Sequence, residues 1–444
     1  MSLSRSDSRQ YEKAKRKKQF RNRLSLILIL FGVVIIIVGT LLVFTKDNSI
    51  KSWIPFIGNN DNRGSITNEA GVKGNKNGTT GKVDVVPEAT DEPKSGGEES
   101  GEVATGEEKT TVEPIQTDAV IVDEETNSGS DERISLSFVG DLLPGEYVTP
   151  FMTQHGYGFP YEKAMLYLSE PDLLAGNLEL PITKRGTPLV GNKYVYKGLP
   201  EALPALRDAG FDVFSLANNH ALDQGVEGMV DTMTHLDEAG ISHMGTGNND
   251  TEAFAPVIKE VNGIKVAYIG VSNVIPFAEQ KADRNVAGIA ETYETTRTVK
   301  AIKSAKEKAD IVVLMVHWGV MGADMPEPYQ KNNARIYIDA GADLVIGSHP
   351  HVLQGFEKYK GKWIAYSLGN FVFTNYPKDA LAETGVLDAA CSKKGDCELS
   401  FYPMKVTEVQ PTPLEGEEAK ALLDRLTSIS FGVKLEEDGS IVEK

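Results

Sequence analysis

The chain is 444 residues long, 41% hydrophobic, and carries a formal net charge of −17. That is enough apolar content to bury a substantial core. Its acidic balance gives no electrostatic reason to expect binding to DNA or RNA, whose phosphates demand a basic face, so nucleic acid is not an expected partner.

The charge is unevenly spread. Residues 1–23 hold nine Lys or Arg against Asp7 and Glu12, a local charge of +7 that leaves the remainder near −24. Residues 24–44 (LSLILILFGVVIIIVGTLLVF) are uncharged, and as a helix they would span roughly 30 Å, the thickness of a hydrocarbon core. A cleaved signal peptide would have a shorter apolar run and an A-x-A-like site, which is missing. The basic cluster predicts a cytoplasmic N-terminus by the positive-inside rule. The expectation is therefore a single-pass anchor in the cell membrane with everything after it extracytoplasmic.

Residues 45–133 are expected to form a disordered acidic linker. From Gly58 onward they are rich in Gly, Thr, Ser, Asn and Glu, and no aromatic residue lies between Phe56 and Phe138. Such a segment cannot bury enough apolar surface to offset its ordering entropy.

Residues 134–432 read as one domain, with 433–444 as a C-terminal tail. Short apolar runs alternate with helical stretches: ISLSFVG, DLLAGN, FDVFSLANN, IKVAYIG, DIVVLMVHWG, ADLVIGSHPH and WIAYSLGN. Runs of this length and composition, bounded by Gly or polar clusters, are strand candidates. LPALRDAGFDVFSLANNH and ARIYIDAGADLVIGSHPH share one plan of helix, Gly stop, strand and polar cluster, with Gly210 and Gly341 as left-handed C-caps. The alternation predicts an α/β sandwich.

Polar residues gather where these strands end: Gly140-Asp141, Gly176-Asn177-Leu178-Glu179, Asn218-Asn219-His220, His317-Trp318-Gly319, Ser348-His349-Pro350-His351 and Gly369-Asn370. In α/β folds the carboxyl ends of strands open the ligand crevice. A lone His after an apolar strand is more often structural, but four of the chain's seven histidines sit in these clusters. His, Asp, Glu and Asn suit Mn, Fe or Zn, and two such ions could polarise a phosphoryl oxygen and generate hydroxide. His155, His235 and His243 lack such neighbours and read as structural. A nucleophile elbow, a P-loop and a dinucleotide fingerprint are all missing. Cys391 and Cys397 are expected to close a small local disulfide pinning a surface excursion, with two free thiols as the alternative.

The ordered set GD, GNLE, NNH, VHWG, GSHPH and SLGNF resembles the bacterial capsule synthesis proteins of the CapA family, called PgsA in poly-γ-glutamate producers. The resemblance implies a four-layer α/β/β/α sandwich of metallophosphoesterase type. It also implies a role in making and exporting poly-γ-glutamate beside membrane-bound synthase components, with the polyanionic glutamyl polymer as ligand. It places Asp141, Glu179, Asn219, His317, His349 and His351 as ligands of a divalent metal and His220 as the histidine that assists the leaving group. Asp223 would orient His220 or cap the next helix, and Asn177 and Asn370 would contact substrate. The pattern is not complete: Leu143, Asn177 and Met321 stand where related phosphoesterases carry polar or acidic ligands. Three functions stay open: a weakly hydrolytic or non-hydrolytic capsule subunit, a surface metal-dependent phosphoesterase, and a scaffold. Lys193, Lys197 and Arg185 are the local cations that could receive a polyanion.

Overall fold

Alternation between two cores sets the architecture. In the strand Ile311–His317, Ile311, Val313 and Met315 enter one hydrophobic core while Val312, Leu314 and Val316 enter another. In Arg133–Leu142, Phe138 and Val139 likewise face opposite cores. Successive side chains of a strand point to opposite faces, so such strands must be covered on both sides.

The computed structural model describes residues 132–373 and 379–444. The basic tail, the apolar span of residues 24–44 and the linker up to residue 131 lie outside the described residues. Among the described residues no helix is long and apolar enough to cross a membrane.

The fold is mixed α/β. A ten-stranded sheet runs in the order Val433–Leu435, Ser440–Glu443, Cys397–Thr407, Glu383–Ser392, Arg133–Leu142, Leu173–Leu178, Phe211–Ser215, Ser242–Met244, with Asn370–Val372 and Gln410–Pro413 pairing off this path. A six-stranded sheet runs Phe356–Tyr359, Lys362–Ala365, Leu344–Ser348, Ile311–His317, Ile264–Ser272, Val257–Val261. Phe138 and Val213 of the first sheet share the central core with Tyr268, Val313 and Trp363 of the second. Helices Leu203–Ala209 and Gly225–Ala239 cover the outer face of the larger sheet through Leu206, Met229 and Leu236. Helices Thr295–Lys306 and Pro328–Ala340 cover that of the smaller through Ile302, Tyr337 and Ile338. All seven apolar runs are strands, and the two similar segments each end their helix on a left-handed glycine, Gly210 at φ 111° and Gly341 at φ 118°.

Two segments differ from expectation. Residues 433–444 are not a tail: Val433–Leu435 and Ser440–Glu443 pair with each other, and Leu399 and Ser400 pair with Ile441 and Ser440. Val433, Leu435 and Ile441 are buried, which is why the chain end returns to the sheet. Cys391 and Cys397 form a disulfide, but between paired hairpin strands and out of solvent rather than on a surface excursion. A covalent loop this short removes about 2 kcal/mol of chain entropy from the unfolded state. Reduction is expected to lower stability by about that amount, read as a reduced urea midpoint; an unchanged midpoint would contradict the assignment.

Candidate metal centre

Backbone register assembles the centre. Asp141 is paired with Asn177 and with Asn370, and Asn177 with Ser215, on neighbouring strands of the larger sheet. On the smaller sheet His317 is paired with both Ser272 and Ser348. The polar strand ends thus form two rows, and the turn after Ser348 carries His349 and His351 between them. Both histidines hold positive φ, 96° and 59°, a conformation that costs a residue with a Cβ of order 1 kcal/mol or more and tends to mark functional sites.

All ten sequence-predicted residues converge. His317 Nε2 lies 2.7 Å from Asn219 Oδ1, 3.1 Å from His349 Nδ1 and 3.5 Å from Glu179 Oε1. His351 Nδ1 lies 3.3 Å from Asp141 Oδ2, and the His349 backbone N–H donates to the same oxygen at 3.2 Å. One ligand atom each from Glu179, His349 and His351 fall within 4.8 Å of one another. Ser348 Oγ sits 2.9 Å from His317 Nδ1, so the opposite nitrogen faces the cluster, the outer support that histidine ligands ordinarily have.

Asn177 and Asn370, expected to contact substrate, are buried and brace their neighbours. Asn177 donates to Asp141 Oδ1 at 2.8 Å and accepts from Asn218. Asn370 Oδ1 lies 3.0 Å from His351 Nδ1, and its amide donates to the His351 carbonyl. Asp223 lies 2.7 Å from His220 Nδ1. It does not cap the following helix, whose N-cap position is Gln224 and has no side-chain cap bond. Leu143 is buried in the outer core, and Met321 is 62% exposed on a loop. Tyr196 was not foreseen: its ring centroid stands 4.7 Å from that of His220, and its N–H donates to Asp223. Its one sequence signal was the aromatic-cationic string KYVYK. The three histidines left aside stay apart, His155 against Phe159, His235 beside Glu238 and His243 beside Asp237.

Neither oxygen of the fully buried Glu179 has a hydrogen-bond partner. Burial, then the Asp141 and Asp223 charges, push its carboxyl well above the usual range. Burial and the neighbouring imidazoles hold His317 well below its ordinary value and push His349 down to about 4. Without a cation Glu179, His317 and His349 are therefore costly neutral groups. With a divalent cation the same groups are held as carboxylate and neutral imidazole, the ligating forms. The donor set fits such an ion.

A pH dependence follows for the metal-free protein. An unfolded imidazole takes a proton near 6.5, but folded His349 resists it until about 4. Stability from that group is thus present above 6.5 and lost as pH falls toward 4. Glu179 works in the opposite direction: its contribution is present below the unfolded value of 4.5 and lost as pH rises through its raised folded value. Because two histidines oppose one carboxyl, the melting temperature of chelator-treated protein is expected to climb from pH 4 to 6.5. A flat profile would count against this.

Residues 135–375 match the family described as bacterial capsule synthesis protein PGA_cap. Over 302 residues the chain is 32% identical to the capsule biosynthesis protein CapA of Bacillus anthracis, covering 64% of this chain and 70% of that protein. Over 318 residues it is 32% identical to the PGA biosynthesis protein CapA of Bacillus subtilis, covering 70% and 82%. Among solved structures, the NAD nucleotidase of Haemophilus influenzae overlaps 68% of this chain and 57% of its own at 14% identity and a TM-score of 0.38.

Proposed function

The chain belongs to the bacterial capsule synthesis protein family PGA_cap, and from this we propose that it acts in poly-γ-glutamate capsule synthesis as an extracytoplasmic, membrane-anchored subunit beside membrane-bound synthase components. The observation that carries the reading is the 32% identity to two Bacillus capsule and PGA biosynthesis proteins, across the domain that holds the polar cluster. Residues 24–44 supply the single membrane span, with the N-terminus cytoplasmic. We read the layered sandwich as of metallophosphoesterase type, a reading supported by its strand-end cluster.

Asp141, Glu179, Asn219, His317, His349 and His351 would hold one or two divalent ions, Mn, Fe or Zn. Such an ion supplies Lewis acidity toward an acyl or phosphoryl oxygen. Asp223 fixes the tautomer of His220 through Nδ1, which leaves Nε2 as the nitrogen available to move a proton. The Tyr196 ring lies tilted against that imidazole, with centroids 4.7 Å apart. The His220–Asp223 pair favours a second reading, in which the subunit also hydrolyses a phosphoester.

Deleting the gene while the synthase partners remain is expected to abolish surface polymer; unchanged polymer would overturn the capsule role. In the second reading, the full chain with Mn or Zn cleaves a generic phosphodiester, and His220→Ala lowers the rate by roughly 100-fold or more. Turnover unaffected by that substitution would remove the phosphoesterase reading.

A further inference from the structure

Residues 184–199 have no helix or strand, yet they are tied firmly to the centre. Ile182 bridges Gly198 at the root. Leu189 N–H donates to the Asp223 carbonyl at 2.9 Å, Tyr196 N–H donates to the Asp223 carboxylate at 2.7 Å, and Gln224 Nε2 donates to the Tyr196 carbonyl at 3.1 Å. The residue that orients His220 therefore also holds this loop.

The loop's four cations divide by position. Lys184 pairs with Glu201, and Arg185 pairs with Asp231 at 2.7 Å and Glu227 at 2.6 Å, so both are neutralised at the root. Arg185 is thus not available to a polyanion. Lys193 and Lys197 are exposed and have no carboxylate within 4.0 Å among the described residues. Between them and His220 lies an aromatic strip. Tyr196 stacks on Tyr194 with centroids 6.3 Å apart, and Tyr147 meets Tyr196 edge-on at 6.5 Å. Lys193 Nζ sits 4.8 Å above the Tyr194 ring at the outer end. Tyr147 and Tyr194 are 45% and 46% exposed. Beside the strip is an open cavity of ≈ 600 Å³ whose walls include Lys197, Glu146, Thr149 and Gln154.

Resting on the capsule reading, we propose that residues 184–199 are a recognition arm for an extended polycarboxylate chain. Lys193 and Lys197 pair with successive carboxylates, and the Tyr194 and Tyr147 faces cover the methylene backbone as it passes toward Tyr196 and His220. The arrangement disfavours a nucleotide. A base stacked on Tyr194 would need its phosphate at the inner end of the strip, but the unpaired cation Lys193 stands at the outer end. In a chain this acidic, two cations without carboxylate partners at one mouth also answer how a polyanion is received without long-range attraction.

The test uses the full chain in detergent and a fluorescent decamer of γ-linked glutamate, with binding followed by anisotropy at low salt. The combined Lys193→Gln and Lys197→Gln variant is expected to bind roughly tenfold more weakly, and the difference should shrink at high salt. Lys308→Gln serves as control, because Lys308 precedes the strand Ile311–His317 and lies at the opposite end of the sheet from the centre; its affinity should match the parent. Equal affinity of parent and double variant overturns the arm and leaves the capsule reading standing. Failure of the parent to bind the decamer, with adenosine 5′-monophosphate bound in its place, overturns the polycarboxylate class and the reading together.

Discussion

Glu179→Gln is expected to raise the melting temperature of metal-stripped protein and to remove most of the stabilisation that Mn or Zn confers on the parent. Glu179 is fully buried and has no hydrogen-bond partner on either oxygen, and its raised pKa records what it costs to keep a carboxylate there. The nearest imidazole nitrogen, His317 Nε2, is 3.5 Å away and belongs to a ring that is itself held neutral. A neutral amide removes the charge cost, a gain of about 1–2 kcal/mol in the metal-free state. With a bound cation the balance reverses. A ligand at a hundredfold excess over its Kd stabilises the fold by about 2.7 kcal/mol, and each tenfold loss of affinity removes about 1.4 kcal/mol of that. Calorimetry of both proteins with chelator and with metal separates the two effects. Identical metal responses would show that Glu179 is not a ligand.

Gly140→Ala should be strongly damaging to the centre. A Cβ at Gly140 would meet the Gly369 carbonyl oxygen at 1.9 Å and that of Leu368 at 2.8 Å, and backbone cannot swing aside as a side chain can. The same Gly369 oxygen accepts the Asp141 N–H at 2.9 Å, and Asp141 is in register with Asn370. Relieving the clash therefore pulls Asp141 and the His351-supporting Asn370 apart. About 3 kcal/mol or more of destabilisation is expected, with loss of metal binding in whatever protein folds. Gly158→Ala is the control: its Cβ meets nothing within 4 Å and its backbone is already helical, so less than about 0.5 kcal/mol should change. Similar melting temperatures for the two variants would argue against the tight approach at Gly140.

What could be read from residues alone was the parallel half of the molecule and the membership of the centre. Runs such as DIVVLMVHWG are buried on both faces, so they stand out as continuous apolar segments, and each ends in its polar cluster at the same edge of its sheet. The antiparallel half was harder to see. Glu383–Ser392 and Cys397–Thr407 interleave small, polar and charged residues, and beyond the hairpin they form with each other they pair with strands far away in sequence, Arg133–Leu142 and Ser440–Glu443. A pair such as Ser137 and Asp388 looks like loop chemistry until the strands meet and the hydroxyl donates to the carboxylate. The bracing contacts of Asn177 and Asn370 are hidden from the sequence for a similar reason. An amide at a strand end has the same spacing whether it faces ligand or braces the residue that does, and only the cross-strand partners, Asp141 and His351, decide. Tyr196 lies on a loop without periodicity, so its place over His220 depends on the hold of Asp223, a contact 27 residues away in sequence.

If the buried strand-end cluster is a metal centre, the most direct measurement of it is the metal content of the full chain purified without chelator. At least one equivalent of Mn, Fe or Zn per chain is expected in the parent, and none in a folded variant carrying His349→Ala and His351→Ala. A parent that is free of metal, or a variant that retains as much as the parent, would contradict it.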